Sequence, residues 1–181
     1  MKTKIFCDIA DYKTIKFFNN MSLVDGFTTN PSLMRLAGAK NYRNYSLKIL
    51  KVCKKKPISF EVFADNFKDM LKQAYEINSW GKNVYVKIPV VNSKGVFTGP
   101  VIKELSDRGI RLNITAVYTF EQTKKIFKKL NKKTKSIISI FLFLLVKEIL
   151  FLNIGSGSLP LSAILPANMD IIDLVFLHNF L

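Results

Sequence analysis

Six short apolar runs, each separated from the next by a longer amphipathic stretch, constrain the fold of this chain more than any other feature. The strand candidates begin near Ile5 (IFCDIA), Val24 (VDGFTTN), Ile58 (ISFEVFA), Val84 (VYVKIPV), Arg111 (RLNITAV) and Ile137 (IISIF), at intervals of 19, 34, 26, 27 and 26 residues. That rhythm is the one produced by repeated strand–helix units, and no Gly/Ser-rich linker interrupts it. Between the runs, the segments Asn41 to Lys55 and Asp65 to Trp80 carry apolar residues at helical spacing, with Asp65 suited to an N-cap. Strands apolar on both faces belong in a parallel sheet covered by helices, either a barrel or a doubly wound sheet. The Gly-rich phosphate fingerprint of the doubly wound class is missing after the first strand, where the chain reads Asp8-Ile9-Ala10-Asp11, so an α/β barrel is favoured. With 181 residues, 49% of them hydrophobic, the chain is long enough for one domain over 1–181 with a substantial core.

The text changes after Phe141. Residues 142–181 hold one cation, Lys147, and three of the 13 anions, Glu148, Asp170 and Asp173, so they read as a divergent apolar tail. The stretch from Ile137 to Ile154 nears the length of a membrane span. Lys147 and Glu148 sit inside it, and each charge costs about 2.5–3.5 kcal/mol at a bilayer centre, so no spanning helix is expected. Gly155-Ser156-Gly157-Ser158 reads as a turn. Two cysteines, Cys7 and Cys53, cannot build a disulfide framework, and the first apolar run stops at Asp8. The expectation is a cytoplasmic protein with reduced thiols.

The formal charge of +15 raises the question of an anionic partner. Only four of the 28 basic residues are arginines, whereas phosphate and base recognition leans on arginine forks. The lysines Lys124, Lys125, Lys128, Lys129, Lys132 and Lys133 fall mostly on the outer side of an amphipathic helix with Phe127 and Leu130 inward. We therefore read the lysines as solvated helix faces and expect neither a nucleic-acid nor a membrane partner; a basic binding protein is the competing reading.

Strand parity isolates a set of polar residues. In VYVKIPV, Val84, Val86, Ile88 and Val90 share one face and Tyr85 and Lys87 the other. Ser59 and Glu61 oppose Phe60 and Val62, and Asp8 and Phe6 oppose Cys7 and Ile9. Asn113 and Thr115 oppose Leu112, Ile114 and Ala116. Burial disfavours a lysine's charge, and a neutral amine can attack a carbonyl and form a Schiff base while nearby carboxylates move protons.

The segments Phe6-Cys7-Asp8-Ile9-Ala10, Asp25-Gly26-Phe27-Thr28-Thr29-Asn30-Pro31-Ser32-Leu33, Val86-Lys87-Ile88-Pro89, and Gly109-Ile110 followed by Asn113-Ile114-Thr115 resemble the transaldolases. The likeness is strongest to the short bacterial subfamily that includes fructose-6-phosphate aldolase, and it runs in order over about residues 3–141. The resemblance implies a TIM-type (β/α)8 barrel and Schiff-base transfer of a dihydroxyacetone unit between sugar phosphates, as in the pentose phosphate pathway, with no metal or cofactor. A homo-oligomer is expected.

Lys87 matches the Schiff-base lysine, Asp8 the first-strand acid that handles protons during carbon–carbon cleavage, and Glu61 the acid that activates water. Thr115 matches the threonine that helps hold this water. Asn30 and Asn113 match amides that bind the dihydroxyacetone part, with Thr28 beside them, and Ser139 falls at a substrate-contacting serine. Glu61, Asn113 and Phe141 are closer to transaldolase than to fructose-6-phosphate aldolase; a lyase that releases free dihydroxyacetone, or an inactive truncated relative, is the alternative. Asp8 and Asp11 could instead cap the first helix, and Thr28 to Pro31 could form only a strand-ending turn.

The resemblance fails after the sixth strand. Leu144 stands where the family places a phosphate-holding arginine, and Leu142 and Phe143 stand where small residues are expected, although Asp170-Ile171-Ile172 faintly resembles the eighth strand. The barrel is therefore expected to be incomplete or altered beyond the sixth strand, with residues 1–141 as its family-like part.

Overall fold

The computed structural model describes residues 4–140 and the backbone of 169–173. The stretch 141–168, which contains Leu144 and the 155–158 turn, lies outside the described residues, as does most of the apolar run 137–154. Strands and helices alternate: β1 Phe6–Asp8, α1 Tyr12–Asn19, β2 Gly26–Thr28, α2 Pro31–Leu36, α3 Tyr42–Leu50, β3 Ile58–Glu61, α4 Phe67–Ser79, β4 Val84–Pro89, α5 Gly99–Asp107, β5 Leu112–Val117, α6 Phe120–Phe127, β6 Ser136–Ile140 and β7 Met169–Asp173. The strands form one sheet in chain order, every neighbouring pair parallel. This curled, helix-covered sheet is an incomplete TIM-type barrel. The segment that resembles an eighth strand lies directly beside β6 as β7.

The period-2 pattern of each strand decides which residues meet the helices. Cys7, Phe27, Ile58, Phe60, Val84, Val86, Ile88, Leu112, Ile114 and Ile138 pack outward against one stripe of each helix, including Ile15, Met34, Ile49, Met70, Leu105 and Ile126. The inner face has its own small apolar cluster, Phe6, Tyr85 and Ile137, near the strand N-termini. Gly26 makes room for it. A Cβ there would run into the Phe6 ring and lie 2.8 Å from the Pro57 carbonyl oxygen. Gly26→Ala is expected to cost roughly 1–3 kcal/mol by overpacking, measured as a lower urea midpoint at unchanged m value.

Helix starts follow local capping. The Asp11 carboxylate accepts from Thr14 N and Thr14 Oγ1 at 2.8 and 2.6 Å, and Asn30 Oδ1 accepts from Leu33 N at 2.9 Å. Asp65 does not cap α4. Asn66 does, accepting from Asp69 N at 3.0 Å, while Asp65 turns to Ser93 N and Oγ at 2.7 and 2.8 Å. The helix expected through Lys55 ends at Leu50, and α2 intervenes before it. In β5 the alternation breaks at a bulge, where Ala116 takes a left-handed φ of 58° and Val117 occupies the buried face expected of Ala116. Both cysteines are free and buried, and burial pushes the Cys53 thiol up to about 11. Among the described residues no helix is long and apolar enough to cross a membrane.

Candidate active site

Parallel strands in register carry matched residues to the same face, so the polar members of successive strands converge at the C-terminal half of the sheet's inner surface. Asp8 pairs with Thr28, Glu61 with Lys87, and Lys87 with Asn113. Lys87 is 7% exposed. Its Nζ lies 3.4 Å from Glu61 Oε2 and donates to the Thr29 carbonyl at 3.2 Å. The buried charge therefore has both a counter-ion and a hydrogen-bond acceptor.

Burial holds the Glu61 carboxyl above the usual carboxylate range; Lys87 pulls it down, and the nearby Asp8 charge pushes it up. A carboxylate raised in this way is a better proton acceptor than one in water. Its backbone is fixed by Tyr42, which enters from α3. Glu61 N donates to Tyr42 Oη at 2.9 Å and Tyr42 Oη donates to Glu61 O at 3.1 Å. Gln73 Oε1 then accepts from Phe63 N and Ala64 N, both at 2.9 Å, which holds the segment after β3.

Two further pairs complete the inner surface. Thr28 Oγ1 donates to Asp8 Oδ1 at 2.6 Å. Ser139 Oγ donates to Asn113 Oδ1 at 2.8 Å, and Asn113 Nδ2 donates to Ser59 Oγ at 3.0 Å, which fixes the amide's orientation. Asn113 is fully buried and Thr115 is 4% exposed. Asn30 stands half-buried at the mouth of β2 as the cap of α2. Of the two acids that could cap the first helix, Asp11 does so and Asp8 faces the interior.

Sequence reasoning gives Thr29 and Ser59 no role in this arrangement and does not single out Tyr42. Ser59 carried a signal, since it shares a face with Glu61. Thr29 acts through its main-chain oxygen and Tyr42 arrives from a helix, so strand parity could reveal neither.

A row of acid, hydroxyl, acid, amine and amide thus lies at the carboxyl ends of the strands, the end of a barrel sheet where enzymes of this fold place their functional groups. The family described as Transaldolase/Fructose-6-phosphate aldolase matches residues 5–143, and the chain belongs to it. It is 35% identical over 119 residues to a probable transaldolase of Dehalococcoides mccartyi, a match that covers 66% of this chain and 53% of that protein. A probable transaldolase of Methanococcus vannielii is 37% identical over 121 residues, with 66% and 53% covered. One from Nitrosopumilus maritimus is 38% identical over 119 residues, with 66% and 51% covered. The chain spans about half the length of the curated relatives it matches.

Proposed function

We propose that this chain performs transaldolase-type chemistry on sugar phosphates, with Lys87 as the amine that binds the ketose. The observation that carries this reading is the enclosed Lys87–Glu61 contact at 3.4 Å, on the inner surface of an incomplete TIM-type barrel. Glu61 takes a proton from Nζ, the neutral amine adds to the ketose carbonyl, and loss of water gives the Schiff base. Asp8 accepts the proton of the hydroxyl on the carbon being cleaved. The carbon–carbon bond breaks, an aldehyde departs, and the electron pair is held by the iminium as an enamine. Adding this three-carbon unit to a second aldehyde, followed by hydrolysis with water activated by Glu61, returns the amine. Asn113, oriented by Ser59 and Ser139, and Asn30, through the amino group not used in capping, hold the dihydroxyacetone oxygens. Thr115 takes the role of holding this water, and Thr28 donates to Asp8.

Glu61 and Asn113 favour transfer over release of free dihydroxyacetone, because both match the transferase pattern. Borohydride trapping with fructose 6-phosphate tests the reading: a reduced adduct is expected on the peptide containing Lys87. Adduct confined to other lysines, or none under conditions that label an intact transaldolase, would refute it. Comparing products with and without an aldehyde acceptor separates transfer from cleavage.

A further inference from the structure

We propose that the end of the barrel opposite the candidate active site is a docking face for anionic phospholipid surfaces. In a parallel sheet every helix-to-strand connection reaches the strand N-termini, so topology alone assigns these connections to one face. The connections 51–57, 80–83, 108–111 and 128–135 carry four, one, two and five cations, and the connection 20–25 carries none. Their sole acid is Asp25, whose carboxylate is engaged by Ile5 N at 2.8 Å. The strand-to-helix connections 9–11, 29–30, 62–66, 90–98 and 118–119 hold one cation, Lys94, and two acids, Asp11 and Asp65. General lysine enrichment would load both ends alike. The helices carry both signs, with pairs such as Lys103 with Asp107 and Lys124 with Glu121. The expected solvated helix face does not account for the basic run either, because α6 ends at Phe127 and the lysines from Lys128 onward lie in the connection beyond it.

Three observations favour a lipid surface over nucleic acid. Lysine dominates, and the two arginines are engaged: Arg108 pairs with Glu104 at 3.3 Å, and Arg111 stacks over Tyr85 at 5.1 Å. Arginines are thus two of the twelve cations on this face, and both have a neighbour within the fold. On the same face, Leu23 and Met21 are 68% and 37% exposed, beside the basic 54–56 run, because Lys56 Nζ donates to Met21 O at 2.6 Å. Apolar side chains flanked by lysines suit the boundary between headgroups and acyl chains.

The test is co-sedimentation of the full chain with vesicles of phosphatidylcholine and phosphatidylserine, against phosphatidylcholine alone. Binding is expected only to the anionic vesicles and is expected to weaken as salt rises. Lys54→Gln with Lys55→Gln should lower it at least about tenfold, and Leu23→Ser should lower it several-fold. Circular dichroism serves as the folding control. Equal binding to both vesicle types, or binding indifferent to salt and to the lysine pair, would overturn the proposal and point to the apolar tail. Absence of vesicle binding, with or without salt-sensitive retention on a nucleic-acid homopolymer, would overturn it as well, and so would full binding by Leu23→Ser.

Discussion

Lys87→Met is expected to abolish the borohydride-trapped adduct with fructose 6-phosphate completely, since the covalent link requires an amine at that atom. The substitution also strips the buried Glu61 of its counter-ion, whose influence lowers the Glu61 pKa while burial raises it. The carboxyl pKa in the folded variant therefore moves further above its usual value near 4.5. Between the unfolded and folded values the native state binds more protons at Glu61 than the unfolded chain, so the Glu61 contribution to stability is fully present below about pH 4.5 and is lost as pH rises through the folded pKa. Fully buried pairs lose about 3–5 kcal/mol when one partner is removed. The Glu61 side chain keeps 18% of its exposure and can take up a proton, so a loss of about 1–3 kcal/mol is expected at neutral pH. Denaturant melts at pH 5 and pH 8 should show a larger decline for Lys87→Met than for the parent chain. An adduct that survives the substitution would move the chemistry to another lysine, and a pH response equal to the parent's would contradict the electrostatic coupling.

Glu61→Gln separates adduct formation from adduct breakdown. The amide keeps the shape of the side chain but cannot accept a proton, and general acid–base groups contribute typically 10²–10⁴-fold in rate. Release of the Schiff base after removal of the ketose is expected to slow by about that range, whereas trapping after long incubation should still label Lys87. Loss of both would show that Glu61 is needed chiefly to deprotonate the amine. Unchanged release would remove it from the hydrolytic step. The variant removes the counter-charge of Lys87 while the hydrogen bond to the Thr29 carbonyl stays, so a modest stability loss accompanies the kinetic effect.

The inner-facing polar set was legible because side chains on a strand alternate faces whatever the rest of the molecule does. Asp8, Ser59, Glu61, Lys87 and Asn113 could all be assigned to one surface from their neighbours. The alternation misled at Ala116, where a bulge inserts a left-handed residue that no apolar pattern announces. The expectation that Asp65 caps α4 fails for a related reason. Asp65 and Asn66 are both good caps, and the contact between Asp65 and Ser93, 28 residues away, decides between them.

Alternation, helical periodicity and the family-like motifs fixed the fold class and the chemical character of the inner surface, because each depends on residues only a few positions apart. Distances across the sheet depend on register, which is set by crossover lengths and helix packing together. That is why the 3.4 Å approach of Lys87 to Glu61, the clamp on Glu61 from Tyr42 in α3, and the locking of Asn113 between Ser59 and Ser139 emerge only when separate strands and helices are assembled. The gathering of lysines at one end has the same origin. Dispersed along the chain, they share a face because every parallel strand starts from the same side of the sheet.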